Sequence, residues 1–159
     1  MNTANEASGE GPRISRILVA TDFSAQARHA LDWAHYLADG FGARVVLFHV
    51  IDIFSLPEMA CAGEAGIDPR SLLREQADRC MKELATVIPG AETVIREASP
   101  RPAIVDAALE LNCQLIVMGT HGRAGLAHLL MGIVAEYVVR SSPVPVLTVR
   151  MHPTPLHGD

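Results

Sequence analysis

The sequence has no apolar run approaching the roughly 20 residues needed to cross a bilayer. Its longest runs are strand-sized, and it opens without the basic-then-apolar pattern of a secretory signal. A soluble, cytoplasmic protein with no membrane partner is the expectation. Charge is scarce: Asp, Glu, Lys and Arg make up 19% of the chain, where about a quarter is usual. Some apolar surface is therefore expected to be covered by a partner, which points to an oligomer. There is no basic excess either. With a formal net charge of −5 and a pI near 5.8, no general positive field gathers a polyanion, which counts against nucleic acid as a partner.

Cysteine is sparse and unpatterned. Cys61, Cys80 and Cys113 form no CxxC pair and stand at no zinc spacing with histidine, so they read as reduced thiols, Cys80 and Cys113 as small buried side chains. His29, His35, His49 and His128 are scattered without ligand spacing, and no metal site is proposed. No serine has a recognisable base and orienting carboxylate, and no helix carries paired carboxylates, so hydrolytic chemistry has no candidate nucleophile. The G-x-G-x-x-G and GxxxxGK[ST] motifs are missing too, which removes the usual dehydrogenase and P-loop readings.

What is present, in 159 residues, is enough for one domain with a real core. Residues 1–12 are small and polar with nothing to bury and read as a disordered leader; 13–151 form the domain, and 152–159 a loose proline-rich tail. Ile17–Ala20 is a continuous apolar run of the kind found in strands covered on both faces. From an N-cap at Ser24, the residues Ala27, Ala30, Leu31, Ala34, Leu37, Ala38 and Phe41 recur at helical spacing up to Gly40 or Gly42. Val45–Ile51 is a second buried strand. A long loop follows from Asp52 to Ile67, then Asp68-Pro69 opens a helix with Leu72, Leu73, Ala77, Cys80, Met81, Leu84 and Ile88 on one face. Thr93–Ile95 is short and polar, as suits an edge strand. Ser99-Pro100 starts a helix that Asn112 ends, Leu115–Met118 is a further strand, about 132–141 a last helix, and 144–149 a closing strand.

Strands alternating with helices predict an α/β fold: a five-stranded parallel sheet sandwiched by helices, with right-handed crossovers. Ligands of such sheets sit at the carboxyl ends of strands where the strand order reverses. That selects the residues after the first and fourth strands, Thr21-Asp22 and Gly119-Thr-His-Gly122. A strand that runs into glycines and then into a helix start at Gly132 is an arrangement that holds phosphate on backbone N–H groups. Each piece also has a plain structural explanation. Asp22 is a good capping residue ahead of a helix, a tight turn wants glycine with or without a ligand, and His121 and Arg123 are either phosphate contacts or solvated loop residues.

The segments Ile17-Leu-Val-Ala-Thr-Asp-Phe-Ser24, His49-Val-Ile-Asp52, Leu115-Ile-Val-Met-Gly-Thr-His-Gly-Arg-Ala-Gly-Leu126, Gly132-Ile-Val-Ala-Glu-Tyr-Val-Val-Arg140 and Pro143-Val-Pro-Val-Leu147 together resemble the universal stress protein family, from about Arg16 to Arg150. The resemblance implies an adenine nucleotide alpha hydrolase-like (Rossmann-like) three-layer α/β/α fold and a homodimer paired through strand 144–149. It also implies a regulatory role in stress response with ATP, and Mg²⁺ on its phosphates, as ligand. Members that bind ATP carry G-x2-G-x9-G-[ST]. Gly119, Gly122 and Gly132 match at the same intervals, and Ile133 stands where the hydroxyl residue belongs. By the same resemblance Ala20, Thr21 and Asp22 face the nucleoside, Val50 lines the adenine pocket, and Gly119, Gly122, Gly132 and the Ile133 and Val134 backbone surround ribose and phosphates. A hydrogen bond to a charged group is worth roughly 1.5–3 kcal/mol, so a missing hydroxyl corresponds to about ten- to 150-fold in affinity. The alternative implied by Ile133 is a nucleotide-free dimeric interaction module of the same fold. With no base in view, a binding protein is expected rather than an enzyme, with at most weak ATP hydrolysis.

Overall fold

The computed structural model describes residues 11–55, 68–121 and 131–151. Strand β1 (Arg16–Ala20) leads into helix α1 (Ala25–Phe41), and β2 (Arg44–Asp52) into α2 (Pro69–Val87). Next come β3 (Glu92–Ala98), α3 (Pro100–Glu110), β4 (Leu115–Gly119), α4 (Ile133–Ser141) and β5 (Val146–Val149). All neighbouring strands pair in parallel, in the order β3-β2-β1-β4-β5. The order reverses between β1 and β4, at the predicted place.

Why the strands read as unbroken apolar runs is clear from their two faces. Ile17, Val19, Val45, Leu47, Leu115 and Val117 meet Ala30, Leu31 and Ala34 of α1 and Met81 and Leu84 of α2. The alternate residues Leu18, Ala20, Val46, Phe48, Ile116 and Met118 meet Ile104, Ala107 and Ala108 of α3 and Ala135 and Val138 of α4. With both faces covered, the period-2 pattern of a strand loses its polar half. The result is the expected α/β/α sandwich.

Caps fix the helix ends. Ser24 Oγ accepts from the Ala27 N–H at 3.2 Å, and Gly42, at φ 64°, closes α1 in the left-handed region that a side chain disfavours. Asp68 accepts from the Arg70 N–H at 3.0 Å, with Pro69 in the first turn of α2. Asn112, at φ 51°, turns the chain out of α3, a conformation Asn tolerates better than most residues.

Some sequence expectations shift. Edge strand β3 runs over seven residues, not three, because its polar outward side chains find partners: Glu92 bonds Arg16 at 2.6 Å, and Arg96 pairs with Glu110 while its guanidinium lies 5.7 Å from the Phe48 ring centre. Strand β5 begins at Val146 instead of 144. Pro145 has no N–H for a ladder and contributes only its carbonyl, to Ile116 N–H at 3.0 Å. Phe41 and Leu72 are exposed, lying where helix surface turns away from the sheet. Cys113 is buried and Cys80 only half-buried. Burial is the main cause that pushes the Cys113 thiol above its ordinary value of 9.0, against a lowering by Arg16. The leader (1–10), most of the 52–67 loop with Cys61, and the tail from 152 lie outside the described residues.

Candidate functional site

The carboxyl ends of β1 and β4 stand side by side, with Ala20 paired to Met118. On the β1 side the chain leaves the sheet through a turn held by its own side chains. Thr21 continues the ladder, donating to the Phe48 carbonyl at 2.9 Å. Its buried Oγ1 accepts from Phe23 N–H at 3.1 Å, and Asp22 Oδ1 accepts from Ser24 N–H at 3.0 Å. Asp22 thus plays the capping role its position suggests, forming an Asx turn that delivers the chain to the Ser24 cap.

Phe23 has a φ of 65°, an outlier for a bulky residue that costs of order 1–3 kcal/mol unless its surroundings enforce it. They do. The Phe23 ring packs against His49 of β2 with centroids 4.3 Å apart, and His49 Nδ1 donates to the Thr21 carbonyl at 2.7 Å. A carbonyl only accepts, so Nδ1 carries the proton.

The β4 side is built differently. A Cβ on Gly119 would lie 3.2 Å from the Gln26 carbonyl carbon and Cβ, and one on Gly132 would lie 3.0 Å from the Thr120 carbonyl oxygen. Neither glycine has a positive φ, so the chain's requirement is close approach, not a left-handed turn. Gly132 N–H donates to the Thr120 carbonyl at 2.6 Å, and Gly132 is the N-cap of α4, bringing no side-chain cap to the N–H groups of that helix's first turn. Ile133 opens the helix with its side chain 63% exposed, so it takes little part in the core and leaves its backbone at the helix start.

Of the residues selected from sequence, Ala20, Thr21 and Asp22 end one strand and Gly119 its neighbour. Ala20 is buried in the α3/α4-side core, and Val50 and Val134, partly buried, pack against that same core. Gly122, and Arg123 with it, lies outside the described residues. Two residues with structural roles here were not legible: Gln26, whose Oε1 accepts from His121 N–H at 2.9 Å, and His49, read only as a histidine without metal-ligand spacing; Thr120, which belongs to the selected Gly119-Thr-His-Gly122 segment, is 3% exposed with its hydroxyl 3.0 Å from His121 Nδ1. Their links span 95 positions for Gln26–His121 and 28 for His49–Thr21, and no local pattern signals such a link.

A groove of ≈ 550 Å³ opens at the other end of the sheet, lined by His35 and Asp39 of α1, Arg44, Glu92 and the Ile88-Pro89-Gly90 turn. Its charges are of both signs, and His35 lies 3.6 Å from Asp39 within it. Among the described residues there is no cluster of histidine, cysteine and carboxylates able to hold a metal ion, and no helix is long and apolar enough to cross a membrane.

An open parallel sheet sandwiched by helices, with its strand order reversing over a turn that leads to a helix N-terminus, defines an adenine nucleotide alpha hydrolase-like α/β/α protein. The chain belongs to the universal stress protein family, whose model matches residues 13–150. It is 33% identical over 156 residues to universal stress protein MJ0577 of Methanocaldococcus jannaschii, covering 85% of this chain and 94% of that one. To universal stress protein MJ0531 of the same organism it is 30% identical over 139 residues, covering 85% and 81%. The solved structure of MJ0577 superposes with a TM-score of 0.80 at 28% identity, over 90% of this chain and 100% of that chain. A universal stress protein solved in complex with cAMP superposes with a TM-score of 0.57 at 27% identity, over 87% and 98%.

Proposed function

We propose that this is a cytoplasmic stress-response protein that binds ATP or another adenine nucleotide as a regulatory ligand and acts as a homodimer. The observation that carries the nucleotide part is the meeting of three features at one strand reversal: the Thr21-Asp22 turn, the Gly119 exit, and the first turn of α4, to which its N-cap Gly132 brings no side-chain cap. The residues fit such a ligand. Helix-start N–H groups of Ile133 and Val134 suit an anion, Asp22 suits ribose hydroxyls, and Ala20 and Val50 offer apolar surface for a base. Gly122 is assigned to the phosphate side with Gly119 and Gly132. The cAMP complex of a relative supports an adenine ligand. Mg²⁺, if it accompanies ATP, comes with the phosphates; its chemistry would be charge neutralisation. Among the described residues no base stands out, and binding, not turnover, is the proposed activity.

Equilibrium titration with ATP and Mg²⁺ tests this. Heat of binding and a thermal upshift are expected; neither heat, competition nor shift at millimolar ligand sinks the reading. The dimer is proposed to pair through 144–149, of which Val146–Val149 forms the edge strand β5, with no strand paired on its outer side among the described residues. A monomeric sedimentation profile at micromolar concentration refutes it.

One observation favours a second reading, a nucleotide-free interaction module: Ile133 presents an exposed apolar side chain where ATP-binding members of the family have a hydroxyl. Substituting Ile133→Ser separates the two. Measurable affinity appearing only in the variant supports the module; binding by the wild type supports the nucleotide reading, with a further gain of up to about ten- to 150-fold on adding the hydroxyl.

A further inference from the structure

The two halves of the crevice come from chain segments almost a hundred residues apart, and one side chain joins them. Gln26 sits in the first turn of α1, a helix whose start is fixed by the Ser24 cap and the Asp22 Asx turn. From there its Oε1 accepts the His121 N–H at 2.9 Å and lies 3.5 Å from the Thr120 hydroxyl. Facing a backbone donor, that atom has to be the amide oxygen, which settles the orientation of the side chain. Gly119 presses on the Gln26 backbone so closely that a Cβ would come within 3.2 Å. Thr120 in turn receives the Gly132 N–H on its carbonyl at 2.6 Å. A continuous path of contacts therefore runs from the Asp22 turn through Gln26 and Thr120-His121 to the N-cap of α4.

We infer that Gln26 is a positioning residue. It sets the exit of β4, and through Thr120 the N-terminus of α4, relative to the Thr21-Asp22 turn, so that the N–H groups proposed to meet phosphate are held at a fixed offset from the residues proposed to meet the nucleoside. The inference rests on the nucleotide reading above. It has a directional consequence: losing the Gln26 acceptor harms recognition of the phosphates and spares that of the nucleoside.

The variant Gln26→Met keeps length and bulk and removes the acceptor. ATP and adenosine are titrated into wild type and variant, and backbone amide exchange is followed by NMR at His121 and Gly132. Expected results are a five- to tenfold weaker ATP affinity, the equivalent of about one ordinary hydrogen bond, unchanged adenosine affinity, and faster exchange at His121. Gln26→Glu retains an acceptor oxygen and is expected to restore His121 protection. That rescue is read on exchange because the added charge itself repels phosphate. Unchanged exchange and ATP affinity in Gln26→Met overturn the inference alone. A parallel loss of ATP and adenosine also overturns it, since that is the mark of general loosening. A wild type that binds neither ligand overturns the nucleotide reading and the ligand role of Gln26 with it, while the exchange rates separately decide whether Gln26 holds the turn.

Discussion

The two sides of the crevice solve the same problem by different means. On the β1 side, a turn of four residues is held mainly by bonds within itself: Thr21 to Phe23, Asp22 to Ser24, Ser24 to Ala27. On the β4 side, apart from Thr120 with His121, the contacts among the described residues are mostly long-range. Gly119 lies against α1, Gly132 against Thr120, and His121 is held by Gln26 across 95 positions. The first half is specified by side-chain chemistry in short range, the second by the absence of side chains where two backbones approach. Mutations are therefore expected to act locally and additively in the first and to propagate in the second.

The largest effect that sharpens this contrast is expected from Gly119→Ala. The new Cβ meets the backbone of a capped helix, which cannot yield as a flexible side chain does. Overpacking of this kind costs roughly 1–3 kcal/mol, offset by about 0.4–1 kcal/mol from a less flexible unfolded chain. A net loss near 1–2 kcal/mol is expected in denaturant melts, accompanied by weaker ATP binding. A neutral or stabilising result breaks the comparison, because the glycine would then be dispensable to packing.

Ser24→Ala comes next. Removing the cap of α1 is expected to cost about 1 kcal/mol in denaturant melts, with ATP affinity changed less than in Gly119→Ala. Asp22 permits a cleaner separation. Asp22→Asn keeps an acceptor for the Ser24 N–H and is expected to melt within about 0.5 kcal/mol of the wild type, whereas Asp22→Ala loses about 1 kcal/mol with the bond. Equal stability of the two variants would show that the Asx turn is not what holds this half.

The smallest effect is a control from the opposite end of the sheet. Cys113 has its pKa raised by burial, so the folded state keeps the thiol proton that the unfolded chain releases above about 9.0. Its stabilising contribution is complete below that pH and is lost as pH rises from there through the folded value. Cys113→Ala is expected to flatten the alkaline fall in stability slightly, with ligand affinity at neutral pH unchanged. A change in affinity would mean that the two ends of the sheet are coupled.

The contrast also explains what could be read in the sequence. Two-sided burial wrote β1, β2 and β4 as unbroken apolar runs, and caps such as Ser24 and Asp68-Pro69 marked helix starts to the residue. The strand reversal then selected Thr21-Asp22 and Gly119 from topology. The reason for Gly119 and Gly132 was not legible, because a close approach to Gln26 and Thr120 leaves no local trace, and neither was the use of His49, which looks like any strand histidine until Phe23 stacks on it. Strand β3 was read short because its length depends on Arg16 and Glu110, distant in sequence.

The strand order has a further consequence, in time instead of space. β1 lies at the centre of the sheet, and its start is tied to the start of β4 by Arg16 N–H to Gln114, 98 positions later. Such a closure is entropically slow compared with pairing β1 to β2. During synthesis the β1–β2 unit is able to collapse early with the Thr21-Asp22 turn already bonded within itself, but the crevice has no second wall until β4 and the first turn of α4 have left the ribosome. Any ligand of this crevice is thus unable to assist the early steps of folding and acts only as a late clamp on a nearly finished chain.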